Sequence, residues 1–195
     1  MSKQLKSNTI RIIAGKWRGR RIPVINSPGL RPTTDRVRET IFNWLMHEIT
    51  AANCLDLFAG SGALGFESLS RGAASVHFVE SDRHTVMALQ DCIDMLRVNS
   101  TSEKAVLHQA SALELLQRAP ACQFDIAFLD PPFQSNLMDQ AASLLEQNGW
   151  LSADAWIVIE CDSKRPEANL PSQWQLFKQA RAGMSAYYLY RRMSG

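Results

Sequence analysis

Short apolar runs alternate with helix-like segments from about residue 50 onward, and this alternation limits the possible fold more than any other feature. The runs CLDLF at 54–58, SVHFVE at 75–80 and FDIAFLD at 124–130 are rich in Leu, Val, Ile and Phe, as is typical of strands buried on both faces. Residues 82–98 space their apolar side chains at helical intervals, with Ser81 as the expected N-cap. Repeated β–α units predict an α/β fold with a doubly wound, mostly parallel sheet.

Both ends of the chain predict hairpins. The segments WQLFKQAR and SAYYLYRR predict an antiparallel pair that completes a seven-stranded sheet. Near the start, IRIIAGKWRGRRIPVI predicts a hairpin that turns between Gly15 and Gly19, and TDRVRETIFNWLMHEI predicts an amphipathic helix capped by Thr34. A chain of 195 residues fits one domain, in which residues 1–50 extend a core formed by residues 51–195.

Composition gives no sign of a membrane span, a disulfide or a metal site. No segment approaches the roughly 18 consecutive apolar residues that a membrane helix needs, and the first residues lack the apolar core of a signal peptide. The four cysteines are far apart without a CxxC pair, and the four histidines lack ligand spacing. We therefore expect a cytoplasmic protein with reduced thiols and no metal, with a monomer as the default.

Positive charge is concentrated at the start of the chain. Residues 1–50 carry ten Lys or Arg and three acids, whereas the remainder carries eleven Lys or Arg and sixteen acids. A basic end on an otherwise acidic domain suggests a polyanionic partner, although a solubilising face would look the same in sequence.

A glycine-rich turn follows the first strand of the alternating region. The segment LDLFAGSGALGFE places Gly60, Gly62 and Gly65 there, and Glu80 ends the next strand. In open α/β sheets, ligands bind at the carboxyl ends of the strands, where glycines let the backbone approach a ligand closely. A carboxylate at Glu80 can accept hydrogen bonds from two ribose hydroxyls, so the pattern predicts an adenosine-type cofactor.

Asp56 bears on which adenosine cofactor this is. The glycines match G-x-G-x-x-G, a weak dinucleotide signal that would fit a nicotinamide oxidoreductase. However, the Asp56 carboxylate lies just ahead of the turn and would repel a pyrophosphate. It suits the sulfonium and ammonium groups of S-adenosylmethionine, which is the favoured reading.

The fourth strand ends in a rigid corner, Asp130-Pro131-Pro132-Phe133. Proline fixes φ, lacks an N–H group and holds the preceding residue extended. The Asp130 carboxylate and the Pro131 carbonyl can accept hydrogen bonds from an exocyclic base amine, which directs the amine lone pair toward a methyl group. Phe133 can stack on a base that has left its own stack. The corner therefore predicts a catalytic site for amine methylation.

These residues resemble a known family, the bacterial small-subunit rRNA guanine-N2 methyltransferases or RsmD family. The similarity runs from about Ile10 to Arg191 and is carried by IRIIAGKWRGR, RPTTDRVRETIFNWL, LDLFAGSGALGFE, DPPF and AYYLYRR. It implies a Rossmann-like class I methyltransferase that transfers methyl from S-adenosylmethionine to the N2 amine of a guanine in 16S rRNA, within the assembling small ribosomal subunit.

The resemblance also implies roles for individual residues. Family members often carry Asp or Asn near the adenine amine, whereas this chain has the shorter Ser111, so the Ala112 backbone can serve there. The expected catalytic residues are Asp130, Pro131, Pro132 and Phe133. The expected cofactor contacts are Asp56, Phe58, Ala59, Gly60, Ser61, Gly62, Glu80, Ser81, Ser111, Ala112 and Asp130. The expected RNA contacts are Lys16, Trp17, Arg18, Arg20, Arg21, Arg31 and Arg38.

Two other functions fit parts of the same pattern. A DNA amino-methyltransferase would share the glycine turn and DPPF, but the chain is short and has no separate sequence-reading segment. A non-catalytic RNA-binding assembly factor would keep the fold without turnover, and the intact glycine turn, Glu80 and DPPF count against it.

Overall fold

The computed structural model describes residues 9–23, 34–100, 103–132, 136–164 and 169–193. The strands are β1 (Thr9–Arg11), β2 (Arg21–Pro23), β3 (Asn53–Asp56), β4 (Ser75–Glu80), β5 (Lys104–Gln109), β6 (Phe124–Leu129), β7 (Leu151–Asp162), β8 (Trp174–Ala182) and β9 (Ser185–Arg192). The helices are α1 (Asp35–Trp44), α2 (Ala63–Ser70), α3 (Arg83–Leu96), α4 (Ala112–Leu116) and α5 (Leu137–Gln147), and a 3₁₀ turn spans Val98–Ser100.

Seven strands form the main sheet in the order β5-β4-β3-β6-β7-β9-β8. Strands β3 to β7 are parallel, and β9 is antiparallel to both of its neighbours. This confirms the doubly wound, mostly parallel sheet with an antiparallel C-terminal hairpin. Strands β3, β4, β6 and β7 all end on the same side of the sheet, and we call this side the carboxyl edge. The opposite side, where these strands begin, is the amino edge.

Helices cover both faces of the sheet. On one face, α1, α2, α3 and the β1–β2 hairpin share a core in which Phe42, Phe66, Phe78 and Phe128 are all inaccessible to solvent. On the other face, α4 and α5 pack over Leu55, Ala127 and Ile157. Among the described residues, no helix combines the length and apolar character needed to cross a bilayer.

N-cap residues were predicted for two helices, α1 and α3, and one of the two predictions is confirmed. Thr34 caps α1 as predicted, because its side chain accepts a hydrogen bond from the Val37 N–H at 3.4 Å. The N-cap predicted at Ser81 is wrong: Asp82 caps α3, and its carboxylate accepts from the Thr85 N–H at 2.8 Å. A carboxylate at a helix N-terminus also gains from the helix dipole, which favours Asp82 over its neighbour.

The N-terminal hairpin (β1, β2 and the turn between them) is present as predicted, and its turn lies at the amino edge. The Lys16 N–H donates to the Ser70 carbonyl at 2.7 Å, and Ser70 is the last residue of α2. Gly15 approaches so closely that an added Cβ would lie 1.8 Å from that carbonyl oxygen. Since α2 begins at the glycine turn and runs back along the sheet, the hairpin turn is remote from the carboxyl edge.

Candidate active site

The glycine turn and the DPP corner meet because β3 and β6 are neighbours. Asp56 of β3 is in register with Phe128 of β6, and the Leu57 N–H donates to the Phe128 carbonyl at 3.1 Å. Asp130 follows two residues after Phe128, so its strand ends beside the glycine turn. The sheet order thus brings together the two motifs that the sequence separates by about 70 residues.

The glycine turn is built from backbone hydrogen bonds and left-handed residues. Gly60 and Gly62 have φ of 48° and 72°, a region that glycine adopts without steric cost. The Gly62 N–H donates to the Ala59 carbonyl at 2.7 Å, and Gly62 is the N-cap of α2. The turn therefore presents its backbone and the start of α2 at the carboxyl edge.

Glu80 joins the end of β4 to this turn. One carboxylate oxygen accepts from the Gly60 N–H at 3.1 Å, and the other accepts from the Asp82 N–H at 2.8 Å. These bonds hold the half-buried carboxylate in place. The oxygen that binds Asp82 also accepts a long hydrogen bond from the Ser81 hydroxyl at 3.4 Å, whereas the oxygen that binds Gly60 keeps a second lone pair. Glu80 can therefore accept from ribose hydroxyls through that oxygen, and through the other if the Ser81 hydroxyl rotates away.

Asp56 is a buried carboxylate that accepts a hydrogen bond from the Gly65 N–H at 3.0 Å. Burial raises its pKa to about 7; the Gly65 bond opposes that rise, and the Glu80 charge adds to it. A cationic ligand beside this group would favour the ionised form. The site is therefore suited to bind positive charge.

Asp130 lies half-buried at the start of the proline corner, with Pro131 buried and Pro132 exposed. Burial raises its pKa well above the usual value, and the charges of Glu160 and Asp56 raise it further. Phe133 lies outside the described residues, so its stacking role stays a prediction.

Glu160 is a site residue that the sequence reading missed. It lies near the end of β7, is 6% exposed, and follows Ile159, which pairs with Leu129. Its neighbour in register on β9 is Tyr187. The available signal was an acid within the apolar run AWIVIEC, because a buried acid at a strand end is uncommon unless it has a local role.

The other expected cofactor contacts lie around the same edge. Ser111 caps α4, where its hydroxyl accepts from the Glu114 N–H at 3.2 Å, and Ala112 is buried behind it. The Ser111 hydroxyl oxygen is thus used as a hydrogen-bond acceptor at the start of α4. Four further residues sit on the turn or next to Glu80: Phe58, Ala59, Ser61 and the exposed Ser81.

The expected RNA contacts divide into exposed and buried residues. Arg18, Arg20 and Arg21 are exposed on the N-terminal hairpin, and Lys16 pairs with Glu103 at 3.2 Å. Arg31 lies outside the described residues.

Two of the predicted RNA contacts need correction. Trp17 is 4% exposed and packs in the core, and Arg38 is completely buried. The Arg38 guanidinium donates to the Arg11 carbonyl and to Asp35, each at 2.7 Å. Both side chains connect the hairpin and α1 to the rest of the domain. They are buried there and are not accessible to RNA. The sequence pattern alone cannot distinguish an exposed arginine from a buried arginine that bonds to neighbouring secondary-structure elements.

Metal ligation finds no support in the described part of the chain, which holds no group of three His, Cys, Asp or Glu residues that could bind an ion. The described histidines include a pair, His77 and His108, whose ring nitrogens lie 3.0 Å apart. The His77 ring also meets the Phe124 ring edge-on, at 4.9 Å between centroids.

Comparison with known proteins shows the family to which the chain belongs. The model of the family described as Conserved hypothetical protein 95 matches residues 10–191. The chain belongs to this family, the RsmD family. Ribosomal RNA small subunit methyltransferase D of Haemophilus influenzae is 48% identical over 182 residues, covering 93% of each chain. The protein of the same name from Escherichia coli K12 is 46% identical, covering 95% of this chain and 91% of that one.

A solved structure has the same fold over nearly the whole chain. The yhhF protein of Escherichia coli superposes with a TM-score of 0.88 at 41% identity, covering 96% of this chain and 100% of that one. The similarity thus includes the N-terminal hairpin and the C-terminal hairpin as well as the central sheet. The Rossmann-like methyltransferase fold expected from the sequence is therefore confirmed.

Proposed function

We propose that this protein transfers a methyl group from S-adenosylmethionine to the N2 amine of a guanine in 16S rRNA of the small ribosomal subunit. The observation that carries the proposal is the position of Asp130 beside the glycine turn, at the carboxyl edge of a methyltransferase-type sheet. The names of the closely similar relatives support rRNA of the small subunit as the substrate class.

The residues at the carboxyl edge fit this cofactor. S-adenosylmethionine supplies an activated methyl group and carries two positive centres near its methionine end. The buried Asp56 carboxylate can bind that end, because a nearby cation offsets the cost of ionising it. Glu80 can accept hydrogen bonds from the ribose, and the Gly60–Gly62 backbone turns at the same edge beside it.

The DPP corner would orient the guanine. Asp130 and the Pro131 carbonyl accept hydrogen bonds from the N2 amine, so that its lone pair faces the methyl group. Asp130 in its ionised form is the better acceptor and can also take the proton that the amine loses. Phe133 would stack on the base. Catalysis then depends on position and charge placement around an already activated methyl donor.

RNA would be held partly by the N-terminal hairpin. Arg18, Arg20 and Arg21 are exposed there and can contact phosphates without reading sequence. Arg18 and Arg20 lie on the hairpin turn at the amino edge, so they would contact RNA that extends past the domain. Arg21 begins β2, which runs to Pro23 in a cleft beside Gly60 and Ser61 of the glycine turn, so its contact would be nearer to the site.

The decisive experiment is transfer of labelled methyl to small ribosomal subunits isolated from cells that lack this protein, with mass mapping of the product. Free rRNA and duplex DNA are run in parallel. Wild-type protein should label a guanine N2 on the subunit, and Asp130→Ala should lose turnover while still binding the cofactor.

Other outcomes have definite meanings. Label on DNA alone would establish a DNA amino-methyltransferase instead. Normal cofactor binding with no label on any substrate would favour a non-catalytic assembly factor. Near wild-type turnover by Asp130→Ala would remove the role given to that carboxylate.

A further inference from the structure

The C-terminal hairpin, formed by β8 and β9, carries positive charge that sequence reading overlooked. From residue 168 to the end, the chain holds four Lys or Arg and no Asp or Glu. The segment between the two basic ends, residues 51–167, holds seven Lys or Arg and sixteen acids. An RNA chain that approaches the domain is therefore repelled by the middle of the sequence and attracted by both ends.

The tip of this hairpin lies at the carboxyl edge. Ser185 is in register with Asp162 at the end of β7, and the Ser163 N–H donates to the Met184 carbonyl at 2.8 Å. Since β7 lies next to β6, the tip is two strands away from the strand that ends in Asp130. The N-terminal hairpin turn, in contrast, lies at the amino edge.

Strand β8 is the outermost strand on its side of the sheet, and it carries a solvent-exposed aromatic side chain. The register shifts between Leu176 and Lys178, so Phe177 occupies a β-bulge, and bulges of this kind re-aim side chains near active sites. Phe177 is 56% exposed, and its ring meets the Trp156 ring edge-on at 5.0 Å between centroids.

Cations surround these two rings. The Lys178 ammonium lies 5.4 Å from the Phe177 centroid, and the Arg191 guanidinium lies 5.3 Å from the Trp156 centroid. Arg181 is exposed near the tip. Arg191 and Arg192 each pair with an acid, Arg191 with Asp154 at 3.6 Å and Arg192 with Glu146 at 2.7 Å, so neither is counted as an RNA contact. Trp156 is buried at 8% exposed and supports the exposed Phe177 ring from below. An exposed ring flanked by Lys and Arg is a combination that binds single-stranded nucleic acid, through stacking and phosphate contacts.

We propose that the C-terminal hairpin is an RNA-docking surface that binds the single-stranded RNA flanking the target nucleotide through Phe177, Lys178 and Arg181. This rests on the proposed function in that it takes RNA as the substrate. The flanking strand would run from the DPP corner across the end of β7 to the outer edge of β8. Lys178 and Arg181 on an edge strand also disfavour pairing with a second protein strand, so RNA is a better occupant than another copy of the chain.

The test measures binding of a short fluorescein-labelled single-stranded RNA by the full-length protein across a salt series. The variant Lys178→Ala/Arg181→Ala should bind more weakly, and the slope of log affinity against log salt should fall by about 1.4, at about 0.7 for each lost phosphate contact. The matched control is Lys104→Ala/Arg118→Ala, which removes two exposed charges on and near β5 at the opposite side of the sheet. This control should leave the slope unchanged.

A second pair of variants tests stacking independently of charge. Phe177→Ala should weaken binding roughly five- to 150-fold, whereas Phe177→Trp should restore it because the ring is kept. Equal affinity and slope for the hairpin and control variants would overturn the proposal. So would unchanged RNA binding together with an altered oligomeric state by light scattering, which would make β8 an interface between copies. RNA binding is measured without methyl transfer, so a wild-type protein that binds RNA through the hairpin yet methylates no guanine would contradict the proposed function alone.

Discussion

Asp130 and Glu160 occupy matching positions on neighbouring parallel strands, each directly after a residue of the register pair Leu129 and Ile159. Residues that are equivalent in register on adjacent strands point to the same face of the sheet. The two carboxyl groups are therefore neighbours, and Asp56 of β3 lies on their other side. Burial raises the pKa of Asp130 most, and the like charges of Glu160 and Asp56 raise it further.

Replacing Glu160 with Gln should lower the pKa of Asp130. The substitution removes one neighbouring charge and keeps the side-chain volume, while Asp56 and the facing Tyr187 remain. We expect a downward shift of the Asp130 pKa, because a like charge nearby disfavours the ionised form of a carboxyl group, and carbon-13 NMR titration of the free protein measures it. If ionised Asp130 accepts the amine hydrogen bonds, the acidic limb of kcat against pH should move to lower pH by the same amount. Asp154→Asn, on the same strand at the amino edge, is the control, and an Asp130 titration that does not differ between the two variants would contradict the prediction.

Replacing Asp56 with Asn should stabilise the protein at neutral pH. The pKa of Asp56 rises from 3.8 to about 7 in the folded state, so between these values the folded state holds a proton that the unfolded state releases. Stability contributed by the protonated form is thus lost as pH rises through this window, by up to about 4 kcal/mol. In urea unfolding at several pH values, the free energy of unfolding of Asp56→Asn should rise relative to that of the wild type as pH increases. The control Asp91→Asn, at an exposed position, should show no such rise. Cofactor affinity should fall in Asp56→Asn, and a constant stability difference across the pH range would refute the linkage.

Replacing Glu67 with Gln should strongly destabilise the fold. Glu67 is inaccessible to solvent, accepts from the Ile13 and Ala14 N–H groups and from Arg71, and lies 3.8 Å from Arg38. Neutralising it leaves the buried Arg38 without its closest buried counter-charge, at a cost of roughly 3–5 kcal/mol. Arg11→Ala, which breaks the exposed pair with Asp35, should cost at most about 1 kcal/mol. Chemical denaturation checks both, and similar losses for the two variants would show that the buried network is not essential.

Replacing Gly65 with Ala should disturb the glycine turn through a steric clash. An added Cβ would lie 2.2 Å from the Phe78 ring, which is fully buried, so we expect a loss of about 1–3 kcal/mol. The start of α2 must shift to relieve the clash, which would weaken the Gly65–Asp56 bond and lower cofactor affinity in calorimetry. Gly149→Ala isolates backbone strain, since its φ is 72° and nothing lies within 4 Å. Gly149→Ala should lose about 1–2 kcal/mol of stability and keep the cofactor affinity of the wild type. If Gly65→Ala and Gly149→Ala bind the cofactor equally well, the glycine turn is not the cofactor site.

Local patterns in the sequence were enough to predict the sheet and its two motifs. Apolar runs and helical spacing are properties of neighbouring residues, so β4 was predicted at its observed bounds of 75–80. The structure then shows that the strand leading to Asp130 pairs with the strand of Asp56. The N-cap at Asp82 was missed because Ser81 and Asp82 are both good caps, and only the observed Thr85 contact separates them.

The sequence by itself determined the α/β alternation, the glycine turn, the rigid DPP corner and the family, because each depends on residue types at short spacing. Only the tertiary structure decided which charged residues act together. It buried Arg38 and Trp17 inside the domain, set Glu160 beside Asp130, and placed the N-terminal hairpin turn and the C-terminal hairpin tip at opposite edges of the sheet. These outcomes depend on contacts between residues far apart in the chain, whose burial and pairing free energies have no counterpart in local sequence pattern.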